Sequence, residues 1–206
     1  MALERLMPSR PSHEHRNLSS IELTLAAALT AILVALAVPS LGTWTADTQA
    51  RSAAESLTDA IRLAQGTAVA NGRTSLFALT TATPPVAGST PVANSPNWFV
   101  VLDALDSPGK TRTSSGVLLG STDGTRHDVT VAGPALTCFN ALGRQITLAA
   151  GANSLSTACS AADPIVYLVA SNSDASRYFE VLVYAGGWVR MCDGAKVFSI
   201  ATPDGC

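Results

Sequence analysis

Residues Arg16 to Leu41, reading RNLSSIELTLAAALTAILVALAVPSL, constrain this chain more than any other stretch. A basic leader ends at Arg16, one carboxylate follows at Glu22, and from Leu23 to Ala46 no side chain is charged. About 20 mostly apolar residues suffice for a helix to cross a bilayer core, so the run predicts insertion into a membrane. Glu22 matters more than the hydrophobicity, because a carboxylate at the mouth of an apolar helix is costly in lipid and needs a reason. Two ordinary readings compete. Ser19-x-x-Glu22 is a capping-box pattern, in which Glu22 would favour the positive end of the helix dipole. Ala35-Leu36-Ala37 resembles a signal-peptide cleavage site. Against the signal, the apolar run is long, Pro39 sits just past the cut, and the helical pattern continues beyond it.

Charge sets the orientation. Arg5, Arg10 and Arg16 precede the apolar segment, so the leader stays cytoplasmic and the remainder is exported. That compartment permits disulfides, which suits Cys138, Cys159, Cys192 and Cys206. None has C-x-x-C spacing, so neither a zinc nor a redox site is expected, and three pairings remain open.

Beyond Gly42 the helical pattern turns amphipathic. Ala50, Ala53, Ala54, Leu57, Ile61, Ala64 and Ala68 recur at three- and four-residue spacing, with Arg51, Glu55, Asp59 and Arg62 on the other face. Asn71-Gly72 is a stop signal. One helix from about Leu18 to Ala70 is expected, kinked at Pro39, where an N–H is missing. From Arg73 the composition shifts to Thr, Ser, Gly and Val in short runs between turn signals. Strands are expected at Thr74–Thr81, Trp98–Leu105, Gly116–Leu119, Asp128–Val131, Leu136–Phe139, Gln145–Leu148, Ile165–Ala170, Tyr178–Tyr184, Trp188–Met191 and Val197–Ile200, with a surface loop from Ala82 to Asn97. The order is one long helix and then an antiparallel sheet, an α+β arrangement. The segments are a leader at 1–17, a membrane or filament-core helix at 18–46, and an extracytoplasmic domain at 47–206.

The start of the helix resembles the type IV pilin family. The matching residues are Leu18-Ser19-Ser20-Ile21-Glu22-Leu23, with Pro39 where pilins kink. Asn17 stands where the family's prepilin peptidase usually finds glycine, and Leu18 where the mature, methylated first residue is usually phenylalanine. The later residues are similar to the GspH/FimT branch: Trp98–Asp103, Phe139-Asn140-Ala141-Leu142-Gly143 followed by Arg144, and Gly187-Trp188-Val189-Arg190-Met191-Cys192. By themselves these later motifs read as turn glycines and buried aromatics, and Trp188 is expected either to pack in the core, the favoured reading, or to contact another subunit. The resemblance implies a long helix on an antiparallel domain and cleavage between Asn17 and Leu18. It implies an assembly role for Glu22 and a C-terminal staple, Cys192 to Cys206, leaving Cys138 with Cys159. It also implies a single-pass inner-membrane location before assembly. The implied partners are other major and minor pilins or pseudopilins, the prepilin peptidase, the assembly platform and the lipid bilayer.

No catalytic constellation is evident. His13 and His15 belong to the leader and His127 to a polar turn, the carboxylates are dispersed, and no P-loop or nucleophile elbow occurs. No cofactor and no metal are expected, although a membrane-anchored hydrolase remains a formal alternative. DNA is not expected as a strong partner. Residues 1–17 carry three arginines and two glutamates, so the remainder has ten basic and thirteen acidic side chains, a formal −3. Phosphate binding needs clustered cations, and the candidates reduce to Arg190, Lys196 and Arg144. The DNA-binding pattern Gly-Arg-x-Arg of FimT-like relatives is replaced here by Gly187-Trp188-Val189-Arg190.

Overall fold

The computed structural model describes residues 19–103, 115–121, 129–172 and 177–206, with the backbone alone at 36–41 and 115–121. Asn17, Leu18, the leader arginines, the histidines and the side chain of Pro39 lie outside the described residues. The chain divides into two compact units, Met1–Ser40 and Leu41–Cys206.

Helix α1 spans Ser20–Asn71, without interruption at Pro39. Its first turn is closed by the Ser19 carbonyl, which accepts the amides of Glu22 and Leu23 at 2.9 and 3.1 Å. The Ser19 carbonyl, rather than a reciprocal side-chain box, is thus the start device among the described residues. At the other end Gly72 adopts a left-handed φ of 60°. The Gly72 amide returns to Val69 and the Arg73 amide to Ala68, a Schellman closure that satisfies two end carbonyls. The stop at Asn71-Gly72 is where the sequence places it.

Within the second unit every stripe residue is buried: Ala50, Ala53, Ala54, Leu57, Ile61, Ala64 and Ala68 are all at 0% exposure. Alanine has no side chain beyond Cβ, so the sheets approach the helix closely along this stripe. The opposite face is solvated, and the charges there pair locally, Arg51 with Glu55 at 2.9 Å and Arg62 with Asp59 at 3.9 Å. Such exposed pairs contribute little.

Among the described residues nine strands follow: β1 Ser75–Thr80, β2 Asn97–Leu102, β3 Ser115–Ser121, β4 Val129–Ala132, β5 Leu136–Phe139, β6 Gln145–Ile146, β7 Ile165–Ser171, β8 Tyr178–Val183 and β9 Val189–Asp193. They form two sheets, not one, ordered β3-β2-β1-β5-β6 and β4-β7-β8-β9. Every pairing between these strands is antiparallel. The chain leaves the first sheet for β4, returns for β5 and β6, and leaves again for β7 to β9. One cluster joins α1 to the inner faces of both sheets, through Phe77, Leu79, Trp98, Val100 and Phe139 on one side and Val131, Tyr167, Val169, Val181 and Val183 on the other.

Strands β1 and β2 are buried on both faces. Side chains alternate across a strand, so Phe77 and Leu79 face the helix while Leu76 and Ala78 face away. That second face is sealed by the segment after β6, whose Leu148 and Leu155 pack on Leu76, Phe99 and Val101. The Cys138–Cys159 disulfide ties the segment down. Between the sheets, Tyr167 is fully buried with its ring edge-on to Phe77 at 5.6 Å. Its hydroxyl meets Thr137 Oγ1 at 2.6 Å. Burial holds the Tyr167 hydroxyl well above the usual phenol range, only partly offset by the Thr137 bond. Gly133 is required beside it, because a Cβ there would stand 2.3 Å from the ring.

One expected strand is absent. Val197–Ile200 is irregular and exposed. The outward amide and carbonyl of Asp193 are already taken by Asp204 and Cys206, so the chain end occupies the edge that Val197–Ile200 would have needed. Gln145–Leu148 is likewise shorter, a two-residue strand plus an isolated bridge from Leu148 to Cys159.

Candidate functional site

Two features stand out, one in each unit. The first is the opening stretch of α1. Ile21, Leu23, Leu25, Leu29, Ile32, Leu33 and Val34 are each more than half exposed, and Glu22 is the acidic residue of the first turn. With Ala27, Ala28 and Ala31 between them, these positions go round the helix rather than along one stripe, the pattern of a helix meant to be surrounded by apolar matter. Among the described residues no helix is long and apolar enough to cross a membrane.

The second lies in the other unit, where α1 meets the β8–β9 hairpin. The turn from Tyr184 to Trp188 is closed by the Tyr184 amide on the Trp188 carbonyl and the Gly187 amide on the Tyr184 carbonyl. Gly187 takes a φ of 97°, and a Cβ on it would lie 2.2 Å from the Gly143 carbonyl oxygen. The two motif glycines are therefore in direct contact, one from each sheet. Gln65 of the helix clips them together by donating from its side-chain amide to the carbonyls of both Gly143 and Gly187. One turn earlier, Arg62 donates to the Val189 carbonyl at 3.3 Å. Gln65 is not singled out in the sequence, and Arg62 reads there only as part of the charged outer face. The only signal for Gln65 is a polar residue next to Ala64 of the alanine stripe.

Trp188 departs from expectation. It is 64% exposed rather than core, because its carbonyl and neighbours are held by the turn while the indole points outward and stacks on Tyr184 at 5.1 Å and 24°. Beside it an open groove of about 490 Å³ runs between helix and β9, lined by Glu55, Thr58, Asp59, Arg62, Trp188 and Arg190, among others.

The C-terminal residues fold against β9. Cys192 and Cys206 are bonded, as are Cys138 and Cys159, the pairing that the family resemblance implies. Arg190, a candidate phosphate contact, donates to the Gly205 carbonyl at 2.7 Å and lies over the Phe198 ring at 5.0 Å. Lys196, the other candidate, bonds Asp204 and approaches Asp193 at 3.5 Å. The Asp204 hydrogen bond raises the Lys196 pKa, and the same bond lowers that of Asp204. Glu180, Cys192 and Cys206 stand close together, but both sulfurs belong to the disulfide and offer no thiolate to a metal. Arg144 is exposed at the Gly143 turn. The arrangement brings Arg190 and Lys196 to one end of the sheet and directs both at the protein's own acceptors.

No family model matches the chain, and neither does any curated protein. Among solved structures, two crystal forms of the type IV minor pilin FimU from Pseudomonas aeruginosa strain PAO1 are similar. One is 13% identical, with 68% of this chain and 90% of that chain covered, at a TM-score of 0.43. The other is 12% identical, with 72% and 91% covered, at 0.47. Superposition at this level says nothing by itself about activity or partners.

Proposed function

We propose that the chain is a minor pilin that enters or initiates a type IV pilus, with a structural rather than catalytic role. One observation carries this reading: a single uninterrupted helix is apolar on all sides over its first turns, with Glu22 at its mouth, and becomes a fully buried alanine stripe later. Before assembly the apolar part is held in the inner membrane, with the disulfide-bonded domain outside. On extraction into a filament, Glu22 neutralises the freed N-terminal amine of a neighbouring subunit. That attraction is strong in an apolar surround and weak in water. The prepilin peptidase and assembly platform act on the leader and helix, and other pilins or pseudopilins contact the domain.

A pseudopilin of the GspH type in type II secretion uses nearly the same subunit and is the second reading. A FimT-like role in DNA uptake is disfavoured, since Arg190 and Lys196 bind the C-terminal loop and the exported part is net acidic. Intact-mass measurement after co-expression with a prepilin peptidase tests the processing step. The expected mature chain begins at Leu18, and Asn17→Gly accelerates its appearance. A chain beginning after Ala37 contradicts the pilin reading and makes this an ordinary secreted protein.

A further inference from the structure

The second sheet leaves one of its faces uncovered. Burial alternates along β7 and β8, so Tyr167, Phe179 and Val181 join the core beside α1 while Val166, Leu168 and Leu182 point away from it. An antiparallel sheet with one solvated face normally carries polar side chains there. Here the outward rows, in register across β7, β8 and β9, are Val166–Leu182–Arg190 and Leu168–Glu180–Cys192. Tyr184 stacks on Trp188 beyond them. Only Glu180 and Arg190 among these are charged, one of each sign, so the face is apolar in the main and electrically balanced. The first sheet meets the same need from within the chain, because the segment after β6 lays Leu148 and Leu155 on its second face. On the second sheet the C-terminal residues reach the Cys192 corner, through the bond to Cys206. Beyond that corner Val166 stays 41% exposed and Trp188 64%. Phe198, beneath Arg190 and 57% exposed, extends the apolar surface past the rim.

A flat apolar sheet face packs well on another flat surface, as sheets do on one another at about 10 Å. Size then restricts the occupant. Four strands about 4.8 Å apart, each about six residues of 3.3 Å, give a face of roughly 300–400 Å². A stable interface between free partners takes about 800 Å² on each side. The face is therefore too small to recruit a partner from solution. It suffices for a partner already held alongside, at the roughly millimolar effective concentration that tethering provides. In the proposed filament that tether is the neighbour's own apolar helix. We infer that the outer face of the second sheet docks on an apolar surface of the neighbouring filament subunit's globular domain, with Val166 and Leu182 at the centre of the contact. This deepens the pilin reading and rests on it for the identity of the partner.

The test places a photoactivatable benzoylphenylalanine at Val166 in the full chain, in the producing cell, with the same group at exposed Thr90 as the control. Sheared filaments are irradiated and the adducts identified by mass spectrometry. The expected product at Val166, and not at Thr90, joins this chain to the globular domain of another subunit that carries an apolar N-terminal helix. Leu182→Lys should lower its yield roughly tenfold, the size of effect expected from losing one contact at an interface centre. Leu182→Met, which keeps the apolar contact, should restore it, and unchanged melting of both variants shows that they are folded. If the chain is present in filaments but Val166 gives no more adduct than Thr90, the inference is overturned and the pilin reading stands. The same follows from an adduct that Leu182→Lys leaves intact, or from one to a protein without such a helix. Absence of the unaltered chain from filaments overturns the pilin reading itself, and the partner named here with it.

Discussion

The two halves of helix α1 share a composition rich in alanine and leucine, yet they end in opposite environments. From Ala50 to Ala68 the apolar positions fall on one stripe, and both sheets close over it. From Ile21 to Val34 they fall all round, and the side chains remain exposed. Overall hydrophobicity does not distinguish the halves; periodicity does. A stripe can be satisfied by the chain's own domain, whereas an all-round apolar surface needs surroundings that one copy of the chain cannot supply. Burial at roughly 25 cal/mol per Å² makes the first a source of domain stability. In the proposed filament it makes the second a source of association energy.

The largest expected contrast is between truncations in the two halves. Leu57→Ala should cost ~2–5 kcal/mol of domain stability, as for other buried leucines, whereas Leu29→Ala should leave the domain's melting temperature unchanged. Equal losses at both positions would erase the distinction drawn here. Removing the Cys138–Cys159 bridge by Cys159→Ser should cost about 3 kcal/mol by loop entropy. It should also expose the face formed by Leu76, Phe99 and Val101, so dye binding should rise. Cys206→Ser should cost a similar amount by the same account but expose no core, since the loop it closes already presents Val197, Phe198 and Ile200 to solvent.

The stripe was legible because a 3.6-residue period is local, and so was the end at Asn71-Gly72, which follows from glycine's tolerance of positive φ. The split into two sheets was not. It depends on β5 pairing with β1 across about 60 residues, and nothing in either strand declares its partner. Trp188 was misplaced because size and hydrophobicity predict burial on average, while the hairpin's register decides which way one residue points. Val197–Ile200 was read as a strand from its apolar residues. Its fate was set instead by the Cys192–Cys206 bond and by chain-end residues already occupying Asp193. Contact between Gly143 and Gly187 could not be foreseen, although both glycines were noted.

Smaller effects refine the same contrast inside the domain. Tyr167→Phe should cost ~1–3 kcal/mol by leaving the Thr137 hydroxyl buried without its partner, measured by chemical denaturation. The surface pair Lys196–Asp204 should matter least. The pKa of Asp204 is lowered by its bond to Lys196, so its contribution is present above the ordinary carboxylate range and fades as pH falls through the lowered value. The pKa of Lys196 is raised, so its contribution is present below the ordinary lysine value and fades as pH rises through the raised one. Asp204→Asn should flatten both slight slopes in melting temperature against pH, with no change near neutrality beyond the modest loss of one exposed pair.

The central claim is that the first half of α1 finds its partner in other subunits through Glu22. The most direct measurement compares Glu22→Ala with the unaltered chain in the producing cell, quantifying the protein in sheared filaments and in the membrane fraction. The account predicts that the variant stays membrane-bound and folded, with unchanged melting, but is lost from filaments. Entry into filaments at the unaltered level would contradict it and leave Glu22 as no more than a favourable charge at a helix start.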